Sequence, residues 1–540
     1  MIPSQLLQRC HTQLKMPSKE PFFKSARKYF RDYSDLSSIH GVKYLGENRT
    51  TVERGWWLVV FLFSLICCFY SIYLIYEKWN NSPVIISYDN DETPINQIPF
   101  PAVTICPVLY SNTDSINSDS WRFLTGTEFK LLFSKNLLCG PLRIDPLTKS
   151  KNFSFDDNFV NPEKFNHFIS RLYITSYFEN CLWQNEDLSC APLFDYILTN
   201  DGICSSFNLL SPKRIYQDNV KNYFFHRLNN KTYDRSSNWS LDRGYSDDSG
   251  RSTYPRRMSF SSATNGLSIS FKRDTRFKSE LKCPTFWILQ GFKVFLHTPS
   301  SVPVNQEYFY LPLNTAITGA IKPVVLNTLE KVKNSSPEKR KCYFENEGSL
   351  KYFKEYTQSN CELDCLTRYT LYWCGCVAFY MPMDNVTTIC GTGKNKCMKE
   401  AEEKMHTNEL IIKQNHTDVY EKPPQCYCLP SCRDLSYEVQ ISSGINMKSD
   451  PYHLYSTLVL YFKKNQFIAS NRHELYGFTD FLGNLGALLA LFIGFSVLSF
   501  MEIIYFLTVR ILYNIRLYGQ WWGKKNEKSN SQNNQICEIV

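Results

Sequence analysis

Near the C-terminus Gly483, Ala487, Ala490 and Gly494 recur at spacings of four, three and four. On a helix of about 3.6 residues per turn they fall in one stripe, with Leu488, Leu489, Phe492 and Ile493 on other faces. Such a stripe makes no bonds. It lets helices approach closely, or it lines a conduit with backbone and little side chain. Ser496 falls off the stripe if the helix runs on, so Gly494-Phe495-Ser496 is predicted to interrupt regular helix inside the membrane. Backbone of that kind survives at such depth only when buried in protein or facing water. The alternative is a plain packing face with a serine bonded back to its own helix. Residue patterns for catalysis are lacking: there is no Gly-x-Ser-x-Gly elbow or His-Glu-x-x-His helix, and His473-Glu474 has no second histidine. No enzyme is expected.

These residues need a frame at membrane depth. Phe481 to Val509 is long enough to cross a bilayer, at roughly 20 residues per crossing. A second apolar run, Trp56 to Tyr76, carries no charge over roughly 21 residues, about 31 Å as helix. Trp56 and Trp57 at one end, with Tyr73, Tyr76 and Trp79 at the other, form interfacial belts. The run starts too far from Met1 for a signal peptide and meets no small-residue cleavage site before Glu77 and Lys78. Cys67 and Cys68 lie mid-span and read as apolar filler. Lys24, Arg27, Lys28, Arg31, Lys43 and Arg54 precede the first span, and Arg510, Arg516, Lys524, Lys525 and Lys528 follow the second. The positive-inside rule then predicts a two-span plasma-membrane protein with both termini cytoplasmic. Its parts are a cytoplasmic 1–55, a first span 56–76, an extracellular 77–479, a second span 480–509 and a cytoplasmic 510–540.

Cysteine placement supports that division. Of 20 cysteines, 16 lie between the spans, an even number in the oxidising compartment, and read as a disulfide framework. Zinc needs paired Cys-x2-Cys knuckles, and none occurs, so no metal or cofactor is expected. Asn152, Asn230, Asn238, Asn334, Asn385 and Asn415 each head a glycosylation sequon in the same region. Asn48 heads another, which on the cytoplasmic side should be silent. The net charge of +9 is modest and partly in the tails, where it faces anionic lipid. No basic patch with interleaved aromatics points to nucleic acid.

The extracellular body, about 400 residues, is large enough for a substantial core. Phe100 to Ile105, Leu267 to Phe271, Trp287 to Phe295 and Thr457 to Phe462 read as strands. Ser349 to Tyr356 and Glu362 to Tyr369 read as short helices, and Asn229 to Arg257 as an exposed polar excursion. The expected fold is α+β, a β-rich core with a disulfide-stapled helical lobe between two transmembrane helices.

The chain resembles the epithelial sodium channel and degenerin superfamily, in wording nearest its arthropod pickpocket branch. The match rests on motifs in order along residues 36 to 510: Ser38-Ile39-His40-Gly41, Phe100-Pro-Ala-Val-Thr-Ile-Cys106-Pro107 and Gly202-Ile-Cys204-Ser-Ser-Phe-Asn208. Then come Gly291-Phe-Lys-Val-Phe-Leu-His297, Lys339-Arg-Lys-Cys342, Cys374-Gly-Cys376, Cys426-Tyr-Cys428-Leu-Pro-Ser-Cys432, and Gly494-Phe-Ser496 with Glu502 behind it.

The resemblance implies a trimeric, voltage-insensitive, sodium-selective and amiloride-sensitive channel subunit, in a homo- or heterotrimer, opened by an extracellular ligand, tether or force. Sodium would be the permeant ion. Gly494, Phe495 and Ser496 would be the selectivity filter, Gly483 and Asn484 the outer gate, and Glu502 a vestibule charge that concentrates cations. The alternative for Glu502 is a helix-end carboxylate paired with a cytoplasmic Lys or Arg. His40 and Gly41 would belong to a cytoplasmic re-entrant loop; the alternative is a solvated turn. The β core would be a palm and residues 342–432 a thumb. The implied pairs are Cys106–Cys204, Cys342–Cys432, Cys361–Cys428, Cys365–Cys426, Cys374–Cys397 and Cys376–Cys390, leaving Cys139, Cys181, Cys190 and Cys283 open. Departures also count. Gly486-Ala487 and Ala490 stand where the family usually has glycines, so conductance and gating should not be assumed ordinary. Pro337 to Arg340 replaces the tryptophan of acid-sensing members, and proton gating is not inferred. Glu362 and Asp364 read as a solvated helix face. An ATP-gated purinergic receptor would lack the Gly-x-Ser tract, and a two-span scavenger or lipid-binding receptor would need no small-residue stripe. Glu538-Ile539-Val540 fits a PDZ groove or a frayed tail.

Overall fold

The computed structural model describes residues 22–47, 49–81, 84–108, 159–163, 165, 177–220, 239–245, 253–274, 291–304, 306–413, 426–445, 450 and 452–522. Asn48, Cys139, Asn152, Asn230, Asn238, Cys283, Asn415 and the terminal tripeptide 538–540 lie outside them. The chain forms two compact units, one of Val84–His473 and one of Met1–Pro83 with Glu474–Val540.

The second of these is helical. Helices α1 (Phe22–Leu36), α2 (Val42–Gly46) and α3 (Thr51–Asn80) come from the N-terminal segment. At the start of α3 the Thr50 hydroxyl accepts the Glu53 N–H at 3.4 Å, and the Glu53 carboxylate accepts the Thr50 N–H at 3.3 Å. This box satisfies two donors at the helix end and puts negative charge where the helix dipole favours it. Phe63, Ile66 and Phe69 along α3 are each 67% exposed, a surface suited to lipid and not to water. Thr51–Asn80 and Val497–Tyr518 are both long and apolar enough to cross a membrane, and Phe478–Ile493 is a shorter apolar helix just before the latter. Among the described residues two helices can therefore cross a membrane, and a shorter apolar helix precedes the second.

Among the described residues the first unit carries a small sheet that pairs Phe159–Val160 with Ile389–Cys390, and two large ones. The larger orders Val84–Pro94, Gln466–Glu474, Thr315–Thr328, His453–Phe462, Leu267–Asp274, Phe178–Trp183 and Glu186–Leu188, with Asp434–Ile445 also paired to Thr315–Thr328. The smaller orders Tyr308–Pro312, Gly291–His297, Ala102–Val108, Gly202–Phe207 and Phe194–Thr199. Phe207 and Phe292 of the smaller sheet share one buried core with Phe271, Leu460 and Phe462 of the larger. Apolar burial of this kind, at about 25 cal/mol per Å², is what holds the sheets together.

Beside them lies a helical lobe made of α4 (Gln358–Cys374) and α5 (Asn395–Lys413), which pack on each other. Cys361 and Cys365 are one turn apart on α4, so both can face the same incoming stretch of chain, and they bridge to Cys428 and Cys426. Further bridges are Cys342–Cys432, Cys374–Cys397, Cys376–Cys390 and, in the sheets, Cys106–Cys204 and Cys181–Cys190. In the chain-entropy picture each long loop so closed contributes about 4 kcal/mol, less in sum because the loops nest.

Two expectations for this lobe fail. Residues 349–356 form no helix; the segment is held as irregular chain by the Tyr216–Phe353 bridge and by the Tyr352 N–H, which donates to Asp364 at 2.9 Å. Asp364 is accordingly buried, not solvated, and also accepts from Arg368 Nε at 2.9 Å, while Glu362 is exposed. A helix pattern of short polar and apolar residues does not reveal which polar side chain caps a neighbouring loop.

Glu355 lies just before α4, only 8% exposed. Burial first, then the nearby Glu345 carboxylate, pushes its pKa up to about 7, against Arg214, which pairs with it at 3.3 Å, and Arg243. A carboxyl whose folded pKa is raised adds stability that is fully present below its ordinary value of 4.5 and lost as pH rises through about 7. Glu355→Gln, which cannot ionise, should therefore raise the thermal midpoint of the detergent-purified chain at pH 8 by the equivalent of up to about 3 kcal/mol. The gain should fade towards pH 4.5. A variant no more stable than the parent at pH 8 would contradict the assignment.

Candidate functional site

The second span is built from α6 (Phe478–Ile493) and α7 (Val497–Tyr505), which runs through a π-helical turn, Phe506–Arg510, into α8 (Ile511–Tyr518). Between α6 and α7 lie Gly494, Phe495 and Ser496. Gly494 has φ +63°, a left-handed conformation that costs an L-residue roughly 1–2 kcal/mol. This turn lets the Gly494 N–H reach the Ala490 carbonyl at 2.9 Å and the Phe495 N–H reach Leu489 at 3.1 Å, closing the end of α6. Ser496 is extended and caps α7: its Oγ accepts the Ser499 N–H at 3.2 Å, and its own N–H donates to Ser499 Oγ at 3.2 Å. Among the described residues no donor reaches the carbonyls of Gly494 or Phe495. Three non-helical residues thus sit between two capped helix ends, with two carbonyl oxygens left for water or a cation.

The small-residue stripe has a defined outlook. Phe481, Leu485, Leu488 and Phe492 are the half-buried row of α6, and Phe481 stacks on Trp79 of α3 at 5.1 Å. Gly483, Ala487 and Ala490 lie two residues on, about 200° round the helix, and are exposed. The stripe is therefore not what packs the two spans of one subunit together. A Cβ added at Gly483 or Gly486 would meet no atom within 4 Å. Asn484 donates to the Tyr476 hydroxyl at 2.6 Å, which in turn donates to the Asp480 carbonyl at 3.2 Å.

The loop between α1 and α2 underpins the break. The His40 N–H donates to the Ile493 carbonyl at 3.0 Å, and a Cβ on Gly494 would come within 1.7 Å of His40 Nδ1. Gly41, at φ +89°, turns the loop under Phe61 of α3. From α3, Ser64 Oγ donates to the Phe492 carbonyl at 2.7 Å. Glu502 Oε2 accepts from Ser38, from the N–H at 3.1 Å and from Oγ at 3.0 Å, so among the described residues the carboxylate bonds the loop. Tyr29 of α1 donates to the Phe506 carbonyl at 2.5 Å, where the π turn begins. Ser64, Ser499 and Tyr29 escape the sequence reading, and Ser38 enters it only as the first residue of the Ser38-Ile39-His40-Gly41 motif. Only Ser496-x-x-Ser499, a capping spacing at a helix start, carries a local signal.

A family model described as amiloride-sensitive sodium channel matches residues 33–506, from the last turn of α1 to the start of the π turn. The chain belongs to that family. Pickpocket protein 28 of Drosophila melanogaster is 30% identical over 508 residues, covering 88% of this chain and 78% of its own. The sodium channel protein Nach of the same fly is 24% identical over 526 residues, covering 92% and 90%, and the human bile acid-sensitive ion channel is 21% identical over 527, also covering 92% and 90%. A solved proton-activated chloride channel overlaps 83% of this chain and 93% of its own at 5% identity, but with a TM-score of 0.25, too low to bear on fold or ion. Membership in this epithelial sodium channel and degenerin superfamily makes the chain a cation-channel subunit, not a catalyst. Among the described residues no cluster of His, Cys, Asp or Glu could hold a metal. The sequon residues Asn334 and Asn385 of this family member are both exposed.

The contact of His40 with Gly494 makes a double-mutant test. Gly494→Ala should lower the thermal stability of the purified chain by more than the roughly 1–2 kcal/mol of a left-handed alanine, because the methyl strikes the imidazole. His40→Ala in the same chain should restore the steric part only, leaving clear non-additivity in a melting series.

Proposed function

We propose that three such subunits enclose a sodium-selective, amiloride-sensitive, voltage-insensitive pore, with both termini cytoplasmic and Val84–His473 outside. The observation that carries it is the capped break at 494–496, with two unbonded carbonyl oxygens and Ser496 Oγ at membrane depth. Oxygen dipoles from three copies could replace part of a sodium ion's hydration shell. Voltage insensitivity is supported by charge: residues 56–76 carry none and Phe481 to Val509 carries Glu502 alone, so a change in potential has little to move. Gly483 and Asn484 serve as the outer gate, and an extracellular ligand, tether or force opens it. The subunit works in a homo- or heterotrimer within the plasma membrane. Basic residues on both cytoplasmic flanks support the orientation.

Because a Cβ at Gly483 would meet no atom of its own subunit within 4 Å, an effect of bulk there is assigned to neighbours across the pore axis. Gly483→Val expressed in oocytes, alone and with related subunits, should give a sustained sodium current blocked by amiloride. Protein labelled at the surface but silent in every combination would overturn the reading.

A further inference from the structure

We propose that Ser38, Ser499 and Glu502 form a directed hydrogen-bond relay that turns the Ser496 hydroxyl oxygen towards the permeant cation as an acceptor, with Glu502 acting as a positioning residue. This rests on reading 494–496 as the filter. It follows from counting protons. A serine hydroxyl has one proton to donate and two lone pairs, whereas a carboxylate only accepts. Ser38 Oγ lies 3.0 Å from Glu502 Oε2, so its single proton points there. In the 2.7 Å contact between Ser38 Oγ and Ser499 Oγ, Ser38 must then accept and Ser499 must donate. Ser499 has now used its proton, and one of its lone pairs already takes the Ser496 N–H at 3.2 Å. In the 3.2 Å contact between the two hydroxyls of Ser496 and Ser499, Ser496 is therefore the donor.

The direction is fixed along the whole row, from Ser496 through Ser499 and Ser38 to the carboxylate. The Ser496 proton is turned inward, and its oxygen keeps one lone pair for the Ser499 N–H and one free. A hydroxyl with its proton committed elsewhere can ligate a cation; one free to rotate can present that proton to the pore. Ser499 is fully buried, so water cannot reset the row at its centre. Glu502 thereby has an effect on the filter that does not depend on attracting cations at long range. Without the carboxylate, the Ser38 proton is released and the row can reverse.

Two measurements test this in the full chain. The first reads geometry without current: Ser38→Cys with Ser499→Cys, oxidised in the purified protein, should yield a disulfide-linked peptide by mass spectrometry, absent from either single variant. Failure to cross-link removes the relay, whatever the channel conducts. The second uses the Gly483→Val background and bi-ionic reversal potentials. Ser38→Ala and Glu502→Ala should each change the sodium-to-potassium permeability ratio by about threefold or more, a small part of what a bond to a charged group can contribute. Together they should be no worse than either alone. Ser38→Thr and Glu502→Gln, which keep a hydroxyl and an acceptor, should stay near the parent. If Glu502→Gln matches Glu502→Ala while Ser38→Ala has no effect, Glu502 acts by charge alone and the relay is wrong. A silent Gly483→Val background would instead tell against the channel reading, with the cross-link still deciding the geometry.

Discussion

Inside hydrocarbon an unpaired peptide group costs several kcal/mol, and a helix that stops there exposes its last carbonyls at one end and its first N–H groups at the other. The break between α6 and α7 meets that constraint with partners from three directions. Gly494 and Phe495 turn back on Ala490 and Leu489, Ser64 reaches Phe492 from α3, and His40 reaches Ile493 from the α1–α2 loop. On the far side Ser496 and Ser499 cap each other. Much of the backbone around the tract is thus satisfied by protein, while among the described residues no donor reaches the carbonyls of Gly494 and Phe495.

The N-terminal segment is consequently part of the site and not a mere tail. Gly494 has no Cβ and His40 fills the space one would take, so the left-handed turn and the loop are complementary solutions to one packing problem. Below, Phe506 opens a π turn, a register change that helices commonly keep at functional positions. Tyr29 takes its carbonyl while Tyr33 meets its ring at 5.2 Å. Helix α1 therefore holds this region at a point where its hydrogen-bond register changes.

Much of this was legible in the sequence, for physical reasons that can be named. The stripe of Gly483, Ala487, Ala490 and Gly494 followed by an off-stripe serine implied a break, because helix period is rigid while the residue pattern was not. Long uncharged runs and cysteines concentrated between them marked the two-span, disulfide-rich plan. What stayed hidden depends on long-range pairing. Asp364 reads as surface because its partner, the Tyr352 N–H, belongs to a segment whose composition resembles helix. Ser64 sits among apolar residues with no sign that a carbonyl 428 positions away needs it. Glu502 has a carboxylate's usual options in the sequence, and only the fold brings Ser38 to it.

The alanines in the stripe carry a consequence that one subunit alone does not absorb. Ala487 and Ala490 are exposed, on the face of α6 turned away from its half-buried row, so their methyls cost nothing in the packing of α6 on α3. In glycine-rich relatives of the kind the resemblance describes, that face would be smoother by two methyl groups. If the stripe meets copies of itself, each methyl is multiplied by the symmetry of the assembly, and close packing leaves little slack for even one extra carbon. The choice is then between a wider helix separation and a narrower lumen. Ala490 also precedes Gly494 by one turn and accepts its N–H, so any shift that relieves the methyl is passed directly to the first residue of the break. In such an assembly the two alanines and the conformation of the tract would be a single variable, set by how closely copies of α6 approach.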